Sequence, residues 1–273
     1  AIVVNSDLPI HSKRISQARY ACVTGDTDNA RVYIDEAADS PTIHIPAKWL
    51  LAHLMNETDK AHSLLKFLDD DNRLYLYWGC SNETPIYGVE LDYAQNFDFI
   101  GEPKALKQAN PEQFGWEVPG DYNTMINQRP WIEGAWLNKH KGKYYLQYSG
   151  PGTEFKSYSD GVYVSDSPLG PFEAQKHNPF AYKPEGYTSG AGHGSTFADQ
   201  FGNYWHLGTI TISQKHIFER RLGLFPAFFD DNGTLYCNSS FGDYPLILPQ
   251  KKINSFEKQV PKVKQPGNAI IQC

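Results

Sequence analysis

Apolar positions along most of this chain follow a period of two. Five short runs share one layout, a polar turn rich in Asp, Asn or Gly followed by a tyrosine-bearing alternating stretch. They are Asp28-Asn29-Ala30-Arg31-Val32-Tyr33-Ile34, Asp70-Asp71-Asn72-Arg73-Leu74-Tyr75-Leu76-Tyr77, Lys141-Gly142-Lys143-Tyr144-Tyr145-Leu146-Gln147-Tyr148, Phe201-Gly202-Asn203-Tyr204-Trp205-His206-Leu207 and Asp231-Asn232-Gly233-Thr234-Leu235-Tyr236-Cys237. A tight polar turn that runs into alternation is a hairpin signal, because period two sends every second side chain to one face. The tyrosines 33, 75, 144, 204 and 236 are separated by about forty, seventy, sixty and thirty residues, the scale of a four-stranded blade with insertions. Five copies predict an all-β fold, a five-bladed β-propeller. The short alternating stretches 85–91 and 161–165 would complete blades, and a sandwich or barrel made of the same hairpins is the competing architecture.

One segment departs from alternation. Apolar residues in Ala47-Lys48-Trp49-Leu50-Leu51-Ala52-His53-Leu54-Met55 recur at spacings of three and four, which predicts a short helix over 47–56. From Gln250 onward the chain is rich in Lys, Gln and Pro, and 250–273 is read as a ring-closing segment or a tail. No linker interrupts the rest, so one domain over 1–273 is expected.

Composition narrows the function classes. Of 273 residues, 25 are Lys or Arg and 31 are Asp or Glu, a net charge of −6. An acidic chain is a poor partner for a polyanion, so no nucleic-acid partner is expected. No apolar run reaches the ~18–20 residues that span a bilayer, so no membrane association is expected. Aromatic residues make up 14% of the chain, a bias that suits strands and sugar-facing surfaces alike. Cys22, Cys80, Cys237 and Cys273 are too dispersed for a C-x-x-C motif. Two disulfides are open to them, but free buried thiols are the simpler expectation. No oligomeric state is read. The chain begins at Ala1 with no apolar leader, as a processed or trimmed chain would.

The chemistry concentrates in Arg129-Pro130-Trp131-Ile132-Glu133-Gly134-Ala135-Trp136, where a carboxylate sits between two tryptophans. A carboxyl group among apolar rings loses hydration, which raises its pKa and suits a general acid near neutral pH. Elsewhere there is no Gly-x-Ser-x-Gly elbow, P-loop, Gly-x-Gly-x-x-Gly fingerprint or His-Glu-x-x-His pair, and no organic cofactor is expected.

The run from Trp131 to Leu137, followed by His140-Lys141-Gly142-Lys143-Tyr144-Tyr145-Leu146 and Tyr148-Ser149, resembles the central block of glycoside hydrolase family 43. Asp69-Asp70-Asp71-Asn72-Arg73-Leu74-Tyr75-Leu76-Tyr77-Trp78-Gly79, Gly190-Ala191-Gly192-His193-Gly194-Ser195 and Glu219-Arg220-Arg221 resemble further blocks of that family. The resemblance implies a five-bladed propeller hydrolase of arabinose- or xylose-containing plant polysaccharides, inverting, with its two carboxyl groups about 6.5–9.5 Å apart. It implies that Glu133 is the general acid and that Trp78, Trp131 and Trp136 stack on sugar. It further implies that Arg220 or Arg221 reaches sugar or steers the acid, that His193 helps hold a structural calcium near the axis, and that the protein is secreted or periplasmic.

Two departures stand beside these matches. The family's base-bearing aspartate in the first blade has no counterpart in Ile15-Ser16-Gln17-Ala18-Arg19-Tyr20-Ala21-Cys22-Val23, and Asp7 is the nearest substitute. The aspartate that tunes the acid falls on His62 or Ser63. Loss of a general base removes ~10²–10⁴-fold in rate, so the competing expectation is a propeller that binds carbohydrate without cleaving it.

Overall fold

The computed structural model describes residues 29, 32, 65–71, 73–92, 97–212, 216, 218–244 and 248–253. By its contacts the chain divides into two compact units, Ala1–Leu64 and Leu65–Cys273. In the first unit, Asn29 and Val32 are described; both are helical and exposed, where the first turn-and-strand copy predicts a hairpin. Asp and Asn bond backbone amides at helix starts as well as in turns, so a polar lead-in does not choose between the two. The predicted helix over 47–56, and Asp7, His62 and Ser63, lie outside the described residues.

The second unit holds three antiparallel sheets of four strands each among the described residues. The first comprises β1 (Leu65–Leu68), β2 (Leu74–Trp78), β3 (Ile86–Asp92) and β4 (Asp98–Lys107). The second comprises β5 (Glu133–His140), β6 (Lys143–Gly150), β7 (Ser159–Ser165) and β8 (Glu173–Ala174). The third comprises β9 (Ser195–Ala198), β10 (Tyr204–Ile210), β11 (Arg221–Phe229) and β12 (Leu235–Cys237). Every sheet is a meander whose strands pair in chain order, as blades do. Among the described residues no helix is long and apolar enough to cross a membrane.

The turn-and-strand copies do not each open a sheet. Tyr75, Tyr144 and Tyr204 lie on β2, β6 and β10, the second strand of each sheet, but Tyr236 lies on β12, in the same sheet as Tyr204. The fourth and fifth copies are therefore the two hairpin turns at one end of a single blade. Their chemistry is the same. Asp199 Oδ1 accepts from the N–H groups of Phe201 (2.8 Å) and Asn203 (2.9 Å), and Asp230 Oδ1 accepts from that of Thr234 (2.7 Å). Both are aspartate-closed turns of the kind that reverse a strand.

Connection lengths separate the two ends of the strands. The Asp- and Gly-rich turns β1–β2, β5–β6, β9–β10 and β11–β12 are short and share one end. The long segments 108–132, 151–158, 175–194 and 211–220 share the other. Facing side chains join the sheets. Residues Tyr75, Tyr77, Ile86, Ile132, Ala135, Leu137, Tyr144, Leu146 and Tyr148 form one buried cluster, and Tyr145, Val162, Phe180, Ala181, Ala191, Ile210, Phe225 and Leu235 form another. Alternation along β6 thus feeds both sides of the middle sheet, Tyr144, Leu146 and Tyr148 on one and Tyr145 on the other.

Polar ties supplement this packing. Ser81 bridges to Ile132, joining the first sheet to the start of β5. Trp136 Nε1 and Asn138 Nδ2 both donate to Thr196 O, at 2.9 and 2.8 Å, joining β5 to β9. Of the C-terminal stretch, 250–253 is described. The Ile253 N–H donates to Asn203 Oδ1 (2.8 Å) and Asn203 Nδ2 donates to Lys251 O (3.0 Å), so the chain runs beside the β9–β10 turn there.

Candidate active site

Glu133 is the first residue of β5, at the long-loop end of the middle sheet. Glu133 pairs with Ser149 and Trp136 with Gln147, so Gly134 and Ala135 stand opposite one residue, Tyr148. This is a β-bulge with glycine in the left-handed region, φ +67°, a device that turns a neighbouring side chain out of its regular direction. Glycine is needed there twice over, since a Cβ at 134 would lie 2.9 Å from Ser149 Oγ and 3.4 Å from His193 Cα.

The Glu133 side chain is only 13% exposed. The Tyr158 hydroxyl donates to its Oε1 (2.7 Å) and the Cys80 thiol to its Oε2 (3.2 Å). His193 Nδ1 stands 3.2 Å from the Tyr158 oxygen and 3.8 Å from Glu133 Oε1. With the Tyr158 proton given to Glu133, its oxygen accepts from His193, which assigns a proton to Nδ1. Burial alone would raise the Glu133 pKa. Hydrogen bonds from Tyr158 and Cys80, with the charge of the nearby His193, outweigh it and lower the value to about 2. The expectation of a desolvated, raised carboxyl is thus reversed, because apolar rings are not what surrounds it. The carboxylate in turn raises the pKa of His193 against partial desolvation, while partial desolvation and the Glu133 carboxylate raise the Cys80 thiol. Between the two titrations the Glu133–His193 pair holds one transferable proton, carried on the imidazole in the free site.

The remaining predicted residues separate into those near Glu133 and those not. Arg220, just before β11, lays its guanidinium over the Tyr158 ring, 5.0 Å from the centroid, and donates to Thr153 O. Its Nε and Nη1 are buried with no hydrogen-bond partner among the described residues, and burial lowers its pKa. Arg221 points elsewhere, pairing with Glu219 at 2.7 Å on the surface. Trp131 is 39% exposed and lowers the pKa of the nearby Cys80 thiol. Trp136 is turned to β9, its indole N–H occupied by Thr196 O. Trp78 belongs to an aromatic stack within the first sheet, 5.6 Å from the Tyr87 ring and 6.2 Å from Phe99.

Tyr158 and Cys80 were not singled out by their sequence. Tyr158 directly precedes β7, and Cys80 follows β2 by two residues; both are placed by strand ends that only the fold aligns with Glu133. Cys80 is exposed rather than a buried thiol, and Cys237 is partly exposed; both are free. Cys22 and Cys273 lie outside the described residues. The calcium implied for His193 requires a ring of hard oxygen donors. Among the described residues no three His, Cys, Asp or Glu side chains converge on one point, and His193 faces Tyr158 and Glu133. The acidic and imidazole side chains of the described residues alone assemble no such donor set, and no step below passes through a metal.

Blade-like sheets with a carboxylate, an imidazole and a guanidinium gathered at the long-loop ends of their strands place the protein in the propeller class. The chain belongs to the glycosyl hydrolases family 43, whose family model matches residues 21–239. Over 139 residues it is 30% identical to the beta-D-galactofuranosidase xynD of Aspergillus niger, 51% of this chain and 34% of that protein. The chain therefore spans about a third of that curated relative. A solved thermostable family-43 glycoside hydrolase superposes with a TM-score of 0.54 at 25% identity, covering 71% of this chain and 61% of that one. A xylan beta-1,4-xylosidase from Bacillus halodurans C-125 superposes at 0.53 with 22% identity, over 71% and 37%; at that identity it is similar in fold alone.

Proposed function

We propose that this chain hydrolyses glycosidic bonds of arabinose- or xylose-containing saccharides by inversion, with Glu133 delivering the proton to the leaving oxygen. The observation that carries the reading is the convergence of Tyr158 and Cys80 on one largely enclosed carboxylate at the long-loop end of the sheets, with His193 on the Tyr158 oxygen. His193 is the proton reservoir. As the leaving oxygen gains charge in the transition state, the pair's single proton passes to it through Glu133. Arg220 braces Tyr158 from the far face of its ring. An arabinofuranosyl unit shares its five-membered ring with the galactofuranose named for the curated relative, which supports a furanoside as the donor sugar. Five blades and an extracytoplasmic home belong to the same reading.

The test is hydrolysis of aryl arabinofuranosides, xylosides and galactofuranosides and of arabinoxylan fragments, with the product anomer followed by NMR. Glu133→Gln is expected to lose ~10²–10⁴-fold on natural glycosides and less on aryl glycosides, whose leaving groups need little protonation. Equal turnover by variant and parent ends the assignment.

The second reading is a protein that binds carbohydrate without cleaving it. It is favoured by the ionised state of Glu133, at about 2, and by the nearby Asp160, whose carboxylate is wholly occupied by Ser149, Gly194 and His206. Calorimetric titration that shows oligosaccharide binding with no product identifies this reading.

A further inference from the structure

Beneath the Glu133 cluster lies a second polar group that the hydrolytic reading leaves unused. Asp160 and His206 are 1% and 0% exposed, with His206 Nε2 3.0 Å from Asp160 Oδ2. Donor and acceptor accounting fixes the rest. Gln147 Nε2 donates to Asn138 Oδ1, so Gln147 Oε1 is the acceptor for the Thr196 hydroxyl at 2.8 Å. The Thr196 oxygen must then accept from His206 Nδ1, 3.1 Å away. Both imidazole nitrogens of His206 are thus engaged, Nδ1 by Thr196 and Nε2 by Asp160 and, at 3.4 Å, by Ala191 O.

Asp160 uses its remaining capacity upward. Its Oδ2 accepts the Gly194 N–H (3.0 Å) and its Oδ1 accepts the Ser149 hydroxyl; Ser149 Oγ in turn accepts the His193 N–H (2.6 Å). Two consecutive amides are thus held from one buried carboxylate. The residue between them and Gly192, His193, has φ +51°, a left-handed conformation that a non-glycine residue keeps only when its surroundings impose it. The glycines on either side admit this approach. A Cβ at 194 would collide with His206 Nε2 and Asp160 Oδ2, and one at 192 would lie 2.6 Å from the Tyr158 ring.

We infer that Asp160, oriented by His206 and acting through Ser149, is the positioning residue that clamps the 192–194 loop and so aims the His193 imidazole at Tyr158 and Glu133. This rests on the hydrolytic reading of Glu133 for its effect on rate, but the clamp itself is measurable without turnover. Ser149→Ala deletes one hydroxyl and is expected to keep the fold. In the full-length chain, amide hydrogen exchange at His193 should speed up by about tenfold or more once its buried acceptor is gone. With an arabinofuranoside or xyloside that the parent cleaves, kcat should fall by about tenfold with KM nearly unchanged, the signature of misplaced chemistry rather than lost binding.

Asp160→Asn keeps the volume but removes the charge facing His206. It is expected to speed exchange at both His193 and Gly194 and to deepen the loss of kcat; if that variant does not fold, Ser149→Ala decides. Unchanged His193 exchange in Ser149→Ala overturns the clamp. Faster exchange with unaltered kcat in an active parent overturns the positioning role and leaves a merely structural one. A parent that cleaves no glycoside ends the hydrolytic reading instead, and the exchange rates then decide the clamp alone.

Discussion

At the scale of single residues, the ionisation of Glu133 has a measurable consequence for stability. Its folded pKa is depressed from 4.5 to about 2, so its stabilising contribution is complete above pH 4.5 and is lost as the pH falls toward 2. At about 1.4 kcal/mol per unit the contribution is on the order of 3 kcal/mol. Thermal melts of the parent should therefore drop more steeply between pH 4.5 and 2 than those of Glu133→Gln, which has nothing to protonate; parallel curves would contradict the hydrogen-bonded carboxylate. His193 acts in the opposite sense. Its pKa is raised, so its share is complete below about 6.5 and fades as the pH climbs through the folded value. The two arginines make a second residue-scale contrast. Arg220→Ala removes the cation over Tyr158 and should cost about tenfold or more in kcat/KM, whereas Arg221→Ala should stay within about twofold because its partner Glu219 is at the surface. Glu133 was singled out by its place between two tryptophans. Its environment was not legible, because the donors sit 25 and 53 residues away in Tyr158 and Cys80.

Among the elements, the bulge at the start of β5 does the most to create the site. Gly134 combines φ +67° with a close Ser149, while Gly142, in the β5–β6 turn, has φ +81° and nothing within 4 Å of its missing Cβ. The pair separates backbone strain from steric conflict. Gly142→Ala should cost only the left-handed conformation, about 1–2 kcal/mol. Gly134→Ala should cost more than that and also reduce kcat, since the new methyl presses on Ser149 and the His193 backbone. Urea denaturation and kinetics on both variants check this; equal destabilisation would mean that the bulge relaxes freely. Strands after residue 64 were legible because alternation and turn chemistry agreed there, and each sheet then followed by pairing neighbours. The order of turns was not. The β9–β10 and β11–β12 turns are both closed by an aspartate onto backbone amides, and local sequence carries no sign of which hairpin of a blade a turn serves. Two copies were therefore counted as two blades.

Over the whole of the second unit, the two ends of the strands are built for different work. At one end, short turns spend aspartates such as Asp199 and Asp230 on their own backbone, and Lys139 pairs with Asp69 between neighbouring sheets. At the other, Cys80, Glu133, Tyr158, His193 and Arg220 come from five separate strand ends, and the long segments carry exposed Tyr122, Trp131, Tyr187 and Phe218. Loop variation on a fixed sheet frame is where binding groups accumulate, because the frame holds position while the loops are free to differ. A saccharide bound by this chain should therefore slow amide exchange within 79–85, 108–132, 151–158, 182–194 and 218–220. The turns 69–73, 141–142, 199–203 and 230–234 should exchange as before. Arabinoxylan fragments added to Glu133→Gln, so that no product forms, make the measurement at equilibrium. Protection confined to the turn end would place binding away from the carboxylate, and neither the hydrolytic nor the carbohydrate-binding reading of the Glu133 cluster would survive it. Protection at the long-loop end is expected from both, so it is the fate of the sugar in the parent protein, cleaved or released intact, that separates them.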